Sequence, residues 1–187
     1  TDPLIKSLMQ LQEKLHMGIG RNRKKIAIGV HDFDKVKPPF RYKAVNPESA
    51  RFVPLNFEEE MSLSEILQKH PKGIEYAHLL DGKEKYPLLV DKDENVLSFP
   101  PIINGVLTQV TPYTKNIFID VTGTDMNKLI LSLNVICSAL VDRGGKLYSV
   151  EVLYEDSKQV YPKFEERRIR VGRRYCENIL GIKLGLD

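Results

Sequence analysis

Asp120 is the side chain of this sequence whose setting most strongly suggests a chemical role. It is the only acidic residue between Leu97 and Thr124, in a stretch otherwise apolar and rich in proline, glycine and threonine. On pattern alone, a carboxylate in the middle of such a strand faces solvent. The alternative is a carboxylate inside a pocket, where it accepts a hydrogen bond from a ligand.

The histidines are a second possible source of chemistry. None of the four (His16, His31, His70 and His78) has a partner at the spacing of metal ligands. His31 precedes Asp32, and this pair could act as a general base with an orienting carboxylate. The alternative is a strand-end histidine with local hydrogen bonds. No nucleophile elbow or phosphate-binding loop occurs, so the catalytic residue stays unassigned.

The cysteines predict no metal or disulfide chemistry. Cys137 and Cys176 are far apart and form no Cys-x-x-Cys or Cys/His cluster, so no zinc site is expected. Cys137 stands in the apolar run LILSLNVICSALV, which is typical of a small buried side chain. We therefore expect free thiols in a reducing compartment.

Basic side chains form two clusters that RNA phosphates could contact. The first cluster contains Arg21, Arg23, Lys24 and Lys25, and the second contains Arg167, Arg168, Arg170, Arg173 and Arg174. The alternative for both is a solvated surface. The glycines that precede the first cluster, at positions 18 and 20, are interpreted as the end of a helix rather than a phosphate-binding turn.

The composition is that of a globular chain rather than a strongly basic binder. The sequence has 187 residues, of which 42% are hydrophobic and 28% charged, with a net charge of +3. This length suffices for one medium domain or two small ones. No apolar run reaches the roughly 18 residues that cross a bilayer. Because the chain begins with Thr1 and not Met, we expect a piece of a longer protein.

In the N-terminal part, the pattern predicts two helices around one short strand. Asp2 and Pro3 open the first helix, and four leucines form one apolar stripe along it. The strand covers residues 26–30. Ser62 and Glu65 form a capping box for a short helix that ends before Pro71. The leucines of the stripe are Leu4, Leu8, Leu11 and Leu15.

In the C-terminal part, strands predominate. Two strands flank a turn at 92–95, and residues 116–123 form another strand, with Asp120 on the face opposite Ile119. A helix capped by Thr124 or Asp125 should extend to the glycines at 144–145, buried on nearly all sides against a sheet. A hairpin turning at 156–157 follows, then a strand and a short helix that ends at Gly181.

These elements predict an α+β fold with mostly antiparallel sheets packed around one or two buried helices. Residues 1–57 would form an N-terminal helix and strand segment packed on the core. Residues 58–187 would form the remainder of one compact unit.

Four phrases carry a resemblance to a known family: LQEKLH, AIGVHDFD, YPLLVDKDENVLSFPPIING and TKNIFIDVTGTD. In this order they resemble the archaeal and eukaryotic-type β subunit of phenylalanyl-tRNA synthetase, in the N-terminal fragment that contains its editing domain. The resemblance implies the editing-domain fold and hydrolysis of tyrosine wrongly attached to the phenylalanine tRNA. It also implies a cytoplasmic protein without membrane contact, and an aminoacylation site on another chain.

The resemblance further implies the partners: the acceptor end of tRNA(Phe) and the α subunit of the synthetase. The full synthetase is expected to use ATP and Mg²⁺, and this domain no cofactor. A pocket for phenylalanine rejects an added hydroxyl poorly, whereas a second site that requires the hydroxyl discriminates far better. Such a site needs an apolar slot for a ring and a polar partner at its end.

By motif match, Asp120 is the residue that reads the tyrosine hydroxyl, directly or through Thr122 or a water. Ser98 and Asn104 are the other polar candidates of this pocket. Leu88 and Leu89 are candidates for the wall of its slot. The resemblance supplies no counterpart for a histidine found near the bacterial editing pocket, although His78 lies in that neighbourhood of the sequence.

Because the sequence has no cysteine or serine nucleophile motif and no metal-binding motif, we predict direct attack by water on the aminoacyl ester. The general base could be Asp120, a hydroxyl of the terminal ribose or a backbone carbonyl. The alternative function is a non-catalytic module of the same synthetase that docks tRNA or the partner subunit.

Overall fold

The computed structural model describes residues 3–166 and 168–185, which contain five α-helices and ten β-strands. The helices are α1 (Pro3–Met17), α2 (Leu63–Lys69), α3 (Pro71–Tyr76), α4 (Met126–Val141) and α5 (Arg173–Leu180). The strands are β1 (Ile26–Asp32), β2 (Arg41–Val45), β3 (Arg51–Phe52), β4 (Met61–Ser62), β5 (Tyr86–Val90), β6 (Val96–Phe99), β7 (Ile103–Asn104), β8 (Ile117–Gly123), β9 (Val150–Leu153) and β10 (Lys158–Tyr161).

All the strand pairs are antiparallel, which confirms the predicted α+β fold class. A four-stranded sheet has the order β2-β5-β6-β7, and three two-stranded sheets pair β1 with β8, β3 with β4 and β9 with β10. The four-stranded sheet and the β1–β8 sheet carry the candidate site. Among the described residues, no helix is long and apolar enough to cross a membrane.

The first hydrophobic core lies between the β1–β8 sheet and the helices α1 and α4. Leu8 and Leu15 of the predicted leucine stripe are buried in it, and Leu11 packs at its edge. Leu4, by contrast, is exposed. The inward face of β8 is formed by Ile117, Ile119 and Val121, as the alternation of the sequence predicts. The thiol of Cys137 is buried here, as predicted, and burial raises its pKa.

Side chains of α1 cover the free edge of β1. Gln12 Nε2 donates to the carbonyl of Ile28 at 2.6 Å, and the Ile28 N–H donates to His16 Nε2 at 2.8 Å. A buried strand edge without such partners would lose about 1–3 kcal/mol for each unpaired group. Helix α1 therefore fixes the position of β1 by hydrogen bonds as well as by packing.

The second core lies between the four-stranded sheet and α2 with α3. It includes Leu63, Ile66 and Phe99. The capping box between Ser62 and Glu65 is formed as predicted, with both hydrogen bonds present. A further helix, α3, begins at Pro71 and was not predicted; Pro71 is tolerated because the first helical position needs no donor.

Two predictions on the C-terminal part need correction, namely those for helix α4 and for the strand at 168–172. Helix α4 begins at Asp125, one of the two predicted caps, but it ends at Val141 and is not buried on nearly all sides, since Met126, Leu131 and Val141 are exposed. Part of its exposed side borders the β9–β10 hairpin, where the Tyr161 hydroxyl lies 3.8 Å from Met126 Sδ. Residues 168–172 form no strand, whereas the hairpin and the helix that ends at Gly181 are confirmed. The predicted cap at position 2 and the arginine at position 167 lie outside the described residues.

Candidate functional site between the two sheets

One transverse row of the four-stranded sheet carries polar and apolar side chains on the same face. The strand register places Tyr42 opposite Leu89, Leu89 opposite Ser98, and Ser98 opposite Asn104. Cross-strand partners share a face of a sheet. The row therefore runs across all four strands, from Tyr42 at one edge to Asn104 at the other.

The β1–β8 sheet faces this row. Its register pairs Ala27 with Thr122, Gly29 with Asp120, and His31 with Phe118. Asn104 Nδ2 donates to the carbonyl of Val30, at 3.4 Å, which joins the two sheets. We refer to the transverse row together with Asp120 and Thr122 as the inter-sheet site.

The Asp120 carboxylate lies against His31. The Asp120 Oδ1 atom is 2.7 Å from His31 Nε2, and His31 Nδ1 is 2.8 Å from the hydroxyl oxygen of Thr108. The histidine side chain is fully buried, and that of Asp120 is 10% exposed. Among the described residues, the Asp120 Oδ2 atom has no hydrogen-bond partner. A half-free carboxylate in a largely dry setting is a strong acceptor for a ligand hydroxyl.

This geometry excludes the pairing of His31 with Asp32, which was one of the two possibilities for this histidine. The Asp32 carboxylate instead caps the short 3₁₀ helix Phe33–Lys35, through the Asp34 N–H at 3.1 Å, and accepts the Thr114 hydroxyl at 2.7 Å. Consecutive residues of a strand point to opposite faces. The carboxylate partner of His31 therefore comes from another strand.

The absence of a side chain at Gly29 makes the contact between Asp120 and His31 possible. A Cβ atom at position 29 would lie 2.0 Å from Asp120 Oδ1 and 2.5 Å from His31 Nε2. Both distances are far below van der Waals contact. Any larger residue here would push the pair apart.

The surroundings of the carboxylate are apolar and aromatic. Leu89 and Leu97 are buried, and Phe40 and Phe118 pack against them with ring centroids 4.3 Å apart. The ring of Phe118 also lies 6.1 Å from that of His31. This wall could take the ring of a ligand, with Asp120 at its end.

Two hydroxyl groups border the same space. Ser98 is 2% exposed and its Oγ has no partner among the described residues. The pKa of the Tyr42 hydroxyl is raised, first by burial of the group and second by the negative charge of Asp120. The Tyr42 residue as a whole is 58% exposed, so it forms the open end of the row with a neutral hydroxyl.

The structure brings most of the predicted pocket residues together. Leu89, Ser98 and Asn104 lie in the transverse row, and Asp120 faces it. Thr122 lies half-buried two residues further along β8, on the same face as Asp120. Their roles in binding stay predictions.

Leu88 is the exception, and its assignment to the slot wall needs correction. Its side chain is buried in the second core, beside Phe99 and Ile102. Leu88 and Leu89 are consecutive in β5, so they point to opposite faces of the sheet. Only Leu89 can line the inter-sheet site.

His31 and Thr108 were not predicted to belong to the pocket, and neither was Tyr42. Local sequence carries no signal for any of them, because each reaches the site through strand pairing or a distant loop. His78 is exposed, and its ring bonds the Glu75 carbonyl at 3.1 Å.

Some side chains of the two basic clusters are already bonded to protein groups, and others are exposed. Arg23 is largely buried: it donates to the carbonyls of Pro101 and Ile102, at 3.2 and 2.9 Å, and lies over the Tyr76 ring. Arg173 is paired with Glu177. Exposed cations remain at Arg21, Lys24, Arg168, Arg170 and Arg174, and Lys25 is half-buried.

A separate open groove of about 700 Å³ lies between the start of α4 and the β9–β10 hairpin, lined by Met126, Tyr154 and Tyr161 among others. It contains none of the predicted pocket residues. Within the described ranges, no group of three histidine, cysteine, aspartate or glutamate residues is placed to hold a metal ion.

Comparison with known protein families gives the class of protein. Residues 2–144 match the B3/4 domain family, and the chain belongs to it.

Comparison with individual proteins is more specific. Over its whole length the chain is 51% identical to the phenylalanine–tRNA ligase β subunits of Methanothrix thermoacetophila and Methanococcoides burtonii, and it spans 34% of each. Over 181 residues it is 51% identical to that of Pyrococcus abyssi, of which it spans 32%. These matches confirm the resemblance inferred from the sequence. The chain thus covers about a third of each relative.

A crystal structure supports the same relation. The N-terminal fragment of the phenylalanyl-tRNA synthetase β subunit from Pyrococcus horikoshii superposes on the chain with a TM-score of 0.92 and 46% identity. The match covers all of this chain and 54% of that fragment. The α+β architecture is therefore that of a synthetase β-subunit fragment.

Proposed function

We propose that this domain edits phenylalanyl-tRNA synthesis by hydrolysing tyrosine that has been attached to tRNA(Phe). The observation that carries the proposal is Asp120, at the end of an apolar wall: His31 holds one oxygen of this carboxylate, and the other has no partner among the described residues. A tyrosine hydroxyl would donate to the free oxygen. Phenylalanine would leave that oxygen desolvated and unpaired, which costs about 1–3 kcal/mol or more for a charged group.

The geometry supports direct attack by water rather than a covalent intermediate. Ser98 is the only hydroxyl in the transverse row besides Tyr42, and no described base lies within hydrogen-bond distance of its Oγ. A serine without a base is a poor nucleophile. The oxygen of a bound water would attack the ester carbonyl carbon, and the ribose oxygen would leave with a proton.

The structure reduces the number of candidates for the base that takes the proton from the water. His31 is unsuitable, because it is fully buried and both ring nitrogens are occupied. The remaining groups are Asp120 itself, a hydroxyl of the terminal ribose and a backbone carbonyl. If Asp120 binds the phenol, the ribose hydroxyl or a carbonyl is the better base.

The partners follow from the same proposal. The acceptor end of tRNA(Phe) would enter between the sheets, and exposed cations such as Arg21, Lys24 and Arg174 would contact its phosphates. Arg23 and Arg173 are less suited to this role, because protein groups already occupy them. The α subunit would carry the aminoacylation site and meet this chain through the rest of the β subunit.

The first prediction concerns Asp120 and is tested in the intact two-subunit synthetase. Asp120→Asn keeps the shape and removes the charge, so deacylation of tyrosyl-tRNA(Phe) should fall about 10–100-fold, the value of a charge-assisted hydrogen bond. Asp93→Asn, a change at an exposed carboxylate paired with Lys37, should leave the rate unchanged. Wild-type deacylation by Asp120→Asn and Asp120→Ala would remove Asp120 from the site.

A specific observation favours the alternative, a non-catalytic docking module. Helix α5 exposes Tyr175, Ile179 and Leu180, and large exposed apolar patches commonly mark interaction surfaces. Substitution of Ile179 and Leu180 by serine distinguishes the two functions. Docking would be favoured as the main role by two results together. The serine variant would lose subunit assembly, and Asp120→Asn would keep normal tyrosyl-tRNA hydrolysis.

A further inference from the structure

We infer that His31 is the positioning residue of Asp120, and that Thr108 fixes the tautomer of the His31 ring. This inference rests on the proposed function, because it assigns Asp120 the task of reading a ligand hydroxyl. It adds a three-residue support, from the Thr108 hydroxyl through the imidazole to the carboxylate, that controls selectivity for a hydroxylated ring.

The hydrogen-bond chemistry sets the order of donors and acceptors. An ionised carboxylate only accepts, so the proton between His31 and Asp120 belongs to His31 Nε2. In the tautomer that carries its proton on Nε2, Nδ1 is an acceptor, and the Thr108 hydroxyl can donate to it. The other contacts of this hydroxyl, to the carbonyls of Leu97 and Gly105, are longer at 3.4 and 3.5 Å. The single hydroxyl proton of Thr108 therefore makes its shortest hydrogen bond to His31 Nδ1.

Three separate elements contribute to this support. Thr108 ends the 3₁₀ helix Val106–Thr108 and is buried, His31 lies in β1, and Asp120 lies in β8. A ring fixed from two sides has little rotational freedom. It therefore holds Asp120 Oδ1 in place, while Oδ2 has no hydrogen-bond partner among the described residues.

His31 acts through Asp120 and does not touch the reacting atoms. Its side chain has no exposed surface, and Gly29 and the Phe118 ring adjoin it. Loss of the histidine would free the carboxylate to turn, and the hydroxyl-specific contact would weaken. Hydrolysis of an ester without a phenol hydroxyl should change little.

The experiment compares conservative and disruptive variants in the intact synthetase. The readout is the ratio of kcat/KM for deacylation of tyrosyl-tRNA(Phe) and phenylalanyl-tRNA(Phe), with kcat and KM separated. His31→Leu should lower the ratio at least 10-fold, mainly through the KM for the tyrosyl substrate. His31→Gln keeps an N–H donor near the Nε2 position and should restore most of the ratio. Likewise, Thr108→Val should lower the ratio and Thr108→Ser should not.

His70 provides a matched control for the loss of a buried histidine. It is 2% exposed and bonds the Leu55 carbonyl and the Lys72 N–H, and among the described residues it has no hydrogen bond to Asp120, His31 or Thr108. His70→Leu should lower the Tm and leave the selectivity ratio unchanged. A purely structural role for His31 would give this same result.

The outcomes separate the two proposals. If Asp120→Asn loses selectivity while His31→Leu and Thr108→Val keep it, the positioning role is overturned and the proposed function stands. If Asp120→Asn itself keeps selectivity, the proposed function fails, and the positioning role fails with it. If His31→Leu does not fold, equal ratios in Thr108→Val and Thr108→Ser overturn the inference.

Discussion

Ser98 and Ser132 are two buried serines whose hydroxyl oxygens have no partner among the described residues. An unpaired buried hydroxyl costs about 1–3 kcal/mol, so neither oxygen improves folding. Ser132 lies in α4, packed on the first core, whereas Ser98 lies beside Leu89 in the inter-sheet site. A residue that costs stability next to a candidate binding carboxylate is best explained by a ligand that uses it.

Alanine substitution should therefore separate stability from activity. Ser98→Ala should keep or raise the free energy of unfolding, by up to about 1 kcal/mol, because it removes an unsatisfied group. It should also lower tyrosyl-tRNA hydrolysis about 10-fold if the hydroxyl binds substrate. Ser132→Ala is the control, with the same gain in chemical denaturation and unchanged hydrolysis. Unchanged hydrolysis in Ser98→Ala would exclude this serine from binding.

At the scale of elements, the attachment of α1 to β1 decides where His31 lies. His16 accepts from the Ile28 N–H through Nε2, which leaves Nδ1 as the donor to Glu13 Oε1 at 3.2 Å. The hydrogen bond from His16, opposed by burial and assisted by the charge of Arg23, lowers the pKa of Glu13 to about 2. The charge of one carboxylate therefore supports the helix that positions the strand.

This pKa predicts a pH dependence of stability. A lowered folded-state pKa stabilises the fold above the unfolded-state value of 4.5, and the effect is lost as the pH falls toward about 2. Glu13 is half-exposed, so solvent screening limits the contribution to about 1 kcal/mol. Glu13→Gln should be less stable than the wild type by this amount at pH 6, and equal to it near pH 2. The free energy of unfolding of both proteins is measured in urea at each pH. A difference between them that stays the same from pH 6 to pH 2 would contradict the prediction.

At the scale of the whole molecule, Arg23 joins parts of the chain that are far apart in sequence. Its guanidinium bonds the 101–102 corner, pairs with Glu13 of α1 and lies 4.5 Å from the Tyr76 ring centroid in α3. These contacts connect the first core to the second. The same arginine belongs to the cluster that the sequence predicted to bind RNA.

Substitutions at two positions of this cluster should therefore affect different properties, the stability of the fold at Arg23 and tRNA binding at Arg21. Arg23→Ala should destabilise the fold by about 2–3 kcal/mol, since it leaves carbonyls unpaired and removes a charged hydrogen bond. Arg21→Ala, at an exposed position, should leave the Tm unchanged and weaken tRNA binding, with a smaller dependence on salt. Thermal unfolding and binding measured at two salt concentrations test both. Equal Tm losses in the two variants would contradict this division.

The sequence by itself determined the structural features that depend only on residues close together in the chain. The capping box at Ser62, the alternation along β8 and the cap at Asp125 follow from local hydrogen bonding and side-chain periodicity. The motif around Asp120 was also sufficient to indicate the family. These features need no knowledge of distant contacts.

Only the tertiary structure decided which side chains meet. His31 and Asp120 are 89 positions apart, and their contact depends on the register of β1 against β8 and on the missing side chain of Gly29. The same holds for Leu88, which strand geometry turns away from the site, and for Arg23, which packing converts into a structural residue. Local patterns cannot fix such pairings, because strand register is set by the sum of long-range packing and not by either strand alone.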